Sequence, residues 1–110
     1  MLFKTNSFTD TCRWNKDYKS LSHEHIEYLH GKGVRLVGID TPSVDPDDSQ
    51  ALESHQAIYG RDMANLEGLV LTDVPDGLYT LIALPLRLKD ADASPVRAIL
   101  VDKISDAFVG

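Results

Sequence analysis

A short, nearly all-apolar stretch at residues 34–39 constrains the fold most strongly, because its length and composition are typical of a buried strand. It leads directly into residues 40–49, which hold two prolines and four aspartates and are predicted to form a loop. The segment from Gln50 to about Tyr59 is then predicted to form a helix that ends at Gly60. A buried strand followed by a polar loop and a helix is typical of sheets covered by helices.

The N-terminal third of the chain is predicted to contain one strand and one helix. Residues 2–5 form the short strand, and the polar residues that follow are predicted to be a loop. Ser22 can cap a helix that runs to about Leu29, and Gly31 or Gly33 can end it. This helix precedes the buried strand at residues 34–39, so a strand, a helix and a second strand follow one another along the chain.

The C-terminal third is predicted to be mostly strands. Residues 63–71 are apolar and compatible with a strand, residues 74–77 signal a turn, and further strands are predicted at residues 78–86 and 97–101. The complete order predicts an α/β or α+β fold, a mixed sheet with flanking helices. A length of 110 residues leaves room for a single domain, 1–110.

Composition excludes several classes of protein. Hydrophobic residues make up 43% and charged residues 25% of the chain, which is globular rather than disordered composition. A net charge of −6 argues against binding to nucleic acid. No apolar run approaches the roughly 20 residues of a membrane helix, and the first residues lack the apolar region of a signal peptide. Cys12 is the only cysteine, which indicates a reducing compartment, so we expect a cytoplasmic protein without nucleic-acid or membrane partners.

Two residues point to metal chemistry. His55 and Glu67 supply an imidazole and a carboxylate, two ligand types that a divalent metal such as zinc accepts. Glu67 lies in an otherwise apolar segment, where a carboxylate is costly unless it binds a metal or is paired, for example with Arg61 or Arg97. Catalytic zinc usually takes three protein ligands and a water, so these two residues predict an incomplete metal site.

Other candidates have plainer interpretations. The aspartates at 40, 45, 47 and 48 lack the spacing of an EF-hand calcium loop, so we expect them to cap helices or face water. Asp40, at the end of a strand, is better placed to orient a neighbouring loop than to do chemistry. Ser94 precedes a proline and has no G-x-S-x-G elbow around it, which favours a role in shaping its loop. Trp14 could stack on an aromatic substrate, but packing is favoured.

Six segments, in order along the chain, share a pattern with a known family: RWN at 13–15, GVRLVGIDTPSVDP at 33–46, His55, LEGL at 66–69, LIALPL at 81–86 and ASPVRA at 93–98. Together they resemble the metal-dependent cyclase family that includes bacterial kynurenine formamidase, also called arylformamidase. The resemblance covers nearly the whole chain. It implies part of a cyclase-like swivelling β/β/α fold.

The resemblance also implies a chemistry. Members of the family use one or two divalent metals, usually zinc, to activate a water and polarise a carbonyl. Kynurenine formamidase thereby cleaves N-formyl-L-kynurenine to kynurenine and formate in tryptophan catabolism. By the family pattern, His55 would bind one metal and Glu67 would bridge both.

The chain departs from the family at one motif. The family's main metal motif, His-x-Gly-Thr-His-x-Asp-x-Pro-x-His, supplies further ligands and the catalytic histidine, and it has no counterpart here. His23 and His25 are close in sequence but lack the rest of it. We therefore expect the C-terminal portion of a longer fold, with no catalytic residue of its own, doubtful zinc occupancy and no activity alone.

Two alternatives to a hydrolase remain open. One is a non-catalytic, oligomeric remnant of the family, and the other is a small-molecule binding domain that reuses the pocket. Part of a sheet would leave unpaired strand edges and exposed apolar faces, which favour self-association. We therefore expect a homo-oligomer that binds a small-molecule substrate or ligand.

Overall fold

The computed structural model describes residues 1–102, which fall into two compact units. The first unit, Met1–Asp73, contains three strands and two helices: β1 (Leu2–Phe3), α1 (His23–Gly31), β2 (Leu36–Ile39), α2 (Glu53–Gly60) and β3 (Ala64–Leu66). The second unit begins at Val74 and contains β4 (Tyr79–Ile82) and β5 (Ile99–Asp102). The predicted class, helices together with strands, is confirmed, with parallel and antiparallel pairs in two separate sheets.

The sheet of the first unit has three parallel strands in the order β1-β2-β3. Gly38 of β2 lies opposite Leu2 on one side and Leu66 on the other. Parallel neighbours cannot be joined by a tight turn. Here α1 connects β1 to β2, and α2 connects β2 to β3. The predicted strand at residues 34–39 is therefore the centre of the sheet.

One face of β2 forms the core together with the two helices. Val37 and Ile39 point to the same face because side chains alternate along a strand, and both are fully buried. The buried apolar residues around them come from both helices and from the connecting segments: Leu21, Ile26, Leu29, Val44, Ile58 and Met63. This core fixes α2 and the loop before it, which are the segments that carry His55.

The two helices begin in different ways. The Ser22 hydroxyl accepts a hydrogen bond from the backbone N–H of His25 (3.2 Å), so the predicted cap of α1 is confirmed. Helix α2 begins at Glu53 rather than near Gln50. The residue before it, Leu52, has a left-handed backbone (φ 50°) and supplies no capping side chain. The N-terminus of α2 consequently needs a partner from elsewhere in the chain.

The second unit is a two-stranded antiparallel ribbon in which Ile82 lies opposite Ile99. The strand predicted at residues 78–86 ends at Ile82. Pro85 has no N–H for a ladder, and the N–H of Leu86 donates to the Ser94 hydroxyl (3.1 Å) instead of to a strand. Within residues 1–102, no helix is both long and apolar enough to cross a membrane.

Candidate metal site

The candidate site lies at the carboxyl end of the parallel sheet. Glu67 directly follows β3, and His55 lies in the first turn of α2, which the loop after β2 introduces. The N–H of Gly68 donates to the carbonyl of Thr41 (2.8 Å), which holds the segment carrying Glu67 against that loop. Ligands of open α/β sheets commonly bind beyond the carboxyl ends of the strands.

The structure brings the two predicted ligands together. His55 Nε2 lies 3.2 Å from Glu67 Oε2, and the two side chains are 35% and 28% exposed. Glu67 Oε2 also accepts a hydrogen bond from the backbone N–H of Val44 (2.8 Å). The backbone therefore holds the Glu67 carboxylate in place, and both side chains keep partial access to solvent.

Glu67 is paired, which is one of the alternatives expected for it, but not with either arginine given as an example. Its partners in the described residues are the imidazole of His55 and a backbone N–H. Arg61 pairs with Glu27 instead, with Nη2 and Oε1 separated by 3.5 Å. Because Glu67 retains exposure and a hydrogen bond, its carboxylate does not need a guanidinium to offset burial.

Asp45 caps a helix, as one of the two expectations for the loop aspartates had it, but the sequence analysis missed its contact with His55. Its side chain is only 2% exposed, and its Oδ2 lies 2.6 Å from His55 Nδ1. The carboxylate also accepts the backbone N–H groups of Ser54 (2.8 Å) and His55 (2.9 Å), so it caps the otherwise uncapped N-terminus of α2. In the sequence it is one of four aspartates in a polar loop, and nothing local distinguishes it from the other three.

Two opposing effects act on the pKa of Asp45. Burial opposes ionisation and is the largest single effect. The backbone N–H groups of His55 and Ser54, together with the hydrogen bond and charge of the His55 ring, favour the ionised form. Their sum is larger, so the pKa of Asp45 is lowered below its ordinary value and the carboxylate is ionised at neutral pH.

The separation of the two donors fits a shared metal ion. Zinc binds histidine nitrogen and carboxylate oxygen at about 2.0–2.2 Å with tetrahedral geometry, which puts neighbouring ligand atoms about 3.3–3.6 Å apart, close to the separation seen here. The observed distance between His55 Nε2 and Glu67 Oε2 is 3.2 Å. Among residues 1–102, no three His, Cys, Asp or Glu side chains are grouped closely enough to hold a metal. The described chain thus offers a pair of donors rather than a full ligand set.

The other candidate residues either bond to nearby loops or face solvent. The carboxylate of Asp40 accepts the N–H of Asn6 (2.9 Å) and both the N–H and the hydroxyl of Thr5 (3.0 and 2.7 Å), so its predicted role in orienting a loop is confirmed. Asp47 and Asp48 are exposed, as expected for loop aspartates. Ser94 bonds to backbone groups of its own loop, which confirms its predicted shaping role.

Trp14 and His23 also contact neighbours other than the candidate metal ligands. The Trp14 ring contacts Phe8 and Tyr18 edge-on, at centroid distances of 5.8 and 6.0 Å, but the residue remains 64% exposed, so its packing is partial. His23 lies near two glutamates, with its Nδ1 3.2 Å from Glu53 Oε2, on an exposed part of the surface. These residues form no third ligand for the pair at His55 and Glu67.

Several kynurenine formamidases are similar to this chain in sequence. No family model matches the chain. The kynurenine formamidase of Sphingopyxis alaskensis is 54% identical over 88 residues, which cover 80% of this chain and 42% of that protein. The kynurenine formamidase of Bordetella pertussis is 56% identical over 87 residues, which cover 79% of this chain and 42% of that protein.

Two solved structures share the fold. A potential metal-dependent hydrolase with cyclase activity superposes with a TM-score of 0.82 and 33% identity, over 94% of this chain and 51% of that one. A predicted metal-dependent hydrolase from Bacillus stearothermophilus superposes with a TM-score of 0.81 and 34% identity, over 93% and 49%. The chain therefore spans about two-fifths of the curated relatives and about half of the solved structures.

Proposed function

We propose that this chain belongs to the kynurenine formamidase family of metal-dependent hydrolases and that it supplies two ligands to the metal centre of a formamide-cleaving enzyme. The ligand atoms are His55 Nε2 and Glu67 Oε2. The observation that carries the proposal is their separation of 3.2 Å, at a partly exposed edge of the parallel sheet. The matching donor chemistry, one imidazole nitrogen and one carboxylate oxygen, suits zinc.

The proposed reaction is hydrolysis of N-formyl-L-kynurenine to kynurenine and formate. The chemistry that a bound divalent ion supplies is polarisation of an amide carbonyl and activation of water. The residues of this chain orient the donors. The N–H of Val44 holds the Glu67 carboxylate, and the Asp45 carboxylate holds the His55 ring. Both side chains are partly exposed, so an ion can reach them from solvent.

Two ligands are fewer than a catalytic zinc site requires. The remaining ligands and the acid–base group of the reaction are not assigned to residues 1–102, where no larger ligand cluster exists. We therefore propose that these residues bind metal more weakly than a complete site does, and that they do not turn over substrate unaided.

Self-association is a further part of the proposal. The second unit exposes large apolar side chains along and beside its two-stranded ribbon: Leu78, Ile82, Leu84, Leu86, Leu88 and Ile99. A two-stranded ribbon is only marginally stable in water, and its apolar side chains gain by burial against a partner. These exposures support a homo-oligomer, and they also suit the alternative of a non-catalytic oligomeric member of the family.

Titration calorimetry with zinc tests the proposed ligands. We expect the unchanged chain to bind zinc, and His55→Ala and Glu67→Gln each to weaken binding by more than the about 10- to 100-fold that loss of an outer-shell contact typically costs. His25→Ala and Glu27→Gln are the matched controls. His25 is exposed beside Phe3, and Glu27 pairs with Arg61.

Circular dichroism of each variant establishes that it is folded before its affinity is compared. Equal zinc affinity in the ligand variants and in their controls would contradict the assignment of His55 and Glu67. Loss of affinity confined to the two ligand variants supports it.

A further inference from the structure

We infer that Asp45 is a positioning residue for His55, holding the single proton of the neutral imidazole on Nδ1 so that the lone pair of Nε2 faces Glu67. The tautomer follows from geometry alone. Its consequence for metal affinity rests on the proposed function. A neutral imidazole has one N–H and one acceptor nitrogen, and the partner of one nitrogen decides which nitrogen carries the proton.

Two carboxylates compete for that proton. Asp45 Oδ2 lies 2.6 Å from Nδ1, whereas Glu67 Oε2 lies 3.2 Å from Nε2. The shorter contact is slightly below the roughly 2.7–2.9 Å of a charge-assisted N–H···O hydrogen bond, and the longer one is at the roughly 3.2 Å upper limit of an ordinary one. Distance therefore favours the Nδ1–H tautomer, in which Nε2 is an unprotonated donor atom for a metal.

Burial adds to the same preference. The Asp45 side chain is 2% exposed, so water cannot replace the hydrogen bond from the ring. Glu67 is 28% exposed, so water can replace a proton donor that it loses. The neutral ring consequently places its proton on the side of the carboxylate that water does not reach.

Asp45 is itself firmly held. Its two oxygens accept the backbone N–H groups of Ser54 and His55, and its carbonyl accepts the hydroxyl of Tyr18 (3.1 Å). Contacts of this kind fix the orientation of a metal-binding histidine and raise its basicity, and their loss typically weakens metal binding about 10- to 100-fold. The same carboxylate thus caps α2 and prepares its histidine for a ligand role.

Nitrogen-15 NMR of the metal-free chain reads the tautomer directly. We expect a pyridine-type shift at His55 Nε2 and a pyrrole-type shift at Nδ1, measured in the alkaline range in which the ring is neutral. In Asp45→Asn the amide can donate to Nδ1, so we expect the proton to move towards Nε2. A pyrrole-type shift at Nε2 in the unchanged chain would overturn the inference even if the variant fails to fold.

Zinc affinity gives the second readout, with Asp40→Asn as the matched control. Asp40 is a buried aspartate of the same loop, but its hydrogen bonds go to Thr5 and Asn6. We expect Asp45→Asn to weaken zinc binding about 10- to 100-fold and Asp40→Asn to leave both affinity and tautomer unchanged. Equal losses in the two variants would show a general effect of the loop and would reject a positioning role.

Different outcomes reject the proposed function and the positioning role of Asp45. If the unchanged chain binds no zinc, the proposed function fails, while a measured Nδ1–H tautomer still upholds the assignment of Asp45. If zinc binds through His55 but Nε2 carries the proton in the metal-free chain, the proposed function stands and the positioning role is rejected.

Discussion

Gly38 is the residue on which the close packing of the central strand depends. It lies on the face of β2 opposite Val37 and Ile39, which point into the core. A Cβ built there would lie 2.5 Å from Leu2 Cδ2 and 2.9 Å from Leu69 Cδ1. Both distances are well below van der Waals contact, so an added methyl group would displace both leucine side chains.

We predict that Gly38→Ala lowers the free energy of unfolding at the lower end of the about 1–3 kcal/mol that overpacking usually costs, because both contacts are with the movable ends of leucine side chains. Gly60→Ala is the control, because a Cβ at the last residue of α2 meets nothing within 4 Å. Alanine within a helix is expected to be neutral or to stabilise by up to about 1 kcal/mol. Urea unfolding measures both. A Gly38→Ala variant as stable as the Gly60→Ala variant would contradict the packing of β2 described here.

The sequence predicts the functional roles of some single residues better than those of others. His55 and Glu67 could be selected because they coincide with a family pattern and because a carboxylate in an apolar segment needs a reason. Asp45 could not, since its partners lie nine and ten residues further on and depend on how the loop folds back over α2. The arginines suggested as partners of Glu67 were poor examples, because pairing by charge left out the imidazole and the backbone N–H that contact its carboxylate.

At the scale of helices and strands, the sequence predicted an element correctly where the hydrogen-bond partners at its end are close in sequence. Ser22 caps α1 through a residue three positions away, so a sequence pattern was enough. Helix α2 starts later than predicted because its cap, Asp45, comes from the preceding loop rather than from an adjacent residue. Strand β4 is shorter than its apolar pattern suggests, because Pro85 follows closely and the ladder ends at Ile82.

The ribbon of β4 and β5 supports a prediction about association. Leu84 is 77% exposed just beyond β4, and we expect Leu84→Lys to lower the weight-average mass measured by sedimentation equilibrium, because a charge at an apolar contact is costly to bury. Tyr59→Lys is the control. It makes the same change of charge at a side chain that is 89% exposed on α2.

Two outcomes would count against this self-association. One is a monomeric mass for the unchanged chain across the concentration range. The other is an equal decrease of mass in the two variants, since that would reflect net charge rather than the ribbon. A decrease confined to Leu84→Lys would place the ribbon at the contact.

At the scale of the whole molecule, both proposed ligands lie in the first unit. The buried apolar cluster, Asp45 and the three parallel strands belong to it as well. The order of strands and helices was enough to predict this class of fold, because apolar residues repeat at a different spacing in helices than in strands. The ends of strands depended on tertiary contacts, and so did the pairing that brings residues 55 and 67 together, which the sequence does not state.

The similarity to known proteins covers only part of their length. This chain spans 42% of two kynurenine formamidases and about half of two solved hydrolases. A pair of ligands from such a portion is consistent with a metal centre that draws its other ligands from elsewhere. The central claim is therefore specific: His55 and Glu67 bind the same ion.

Anomalous diffraction from crystals soaked in zinc tests that claim most directly. We predict one strong peak at the zinc absorption edge, about 2.0–2.2 Å from both His55 Nε2 and a Glu67 carboxylate oxygen. Water or a neighbouring ligand would complete its coordination. A peak that contacts only one of the two residues, or one that lies instead at the exposed group of His23 and Glu53, would contradict the account.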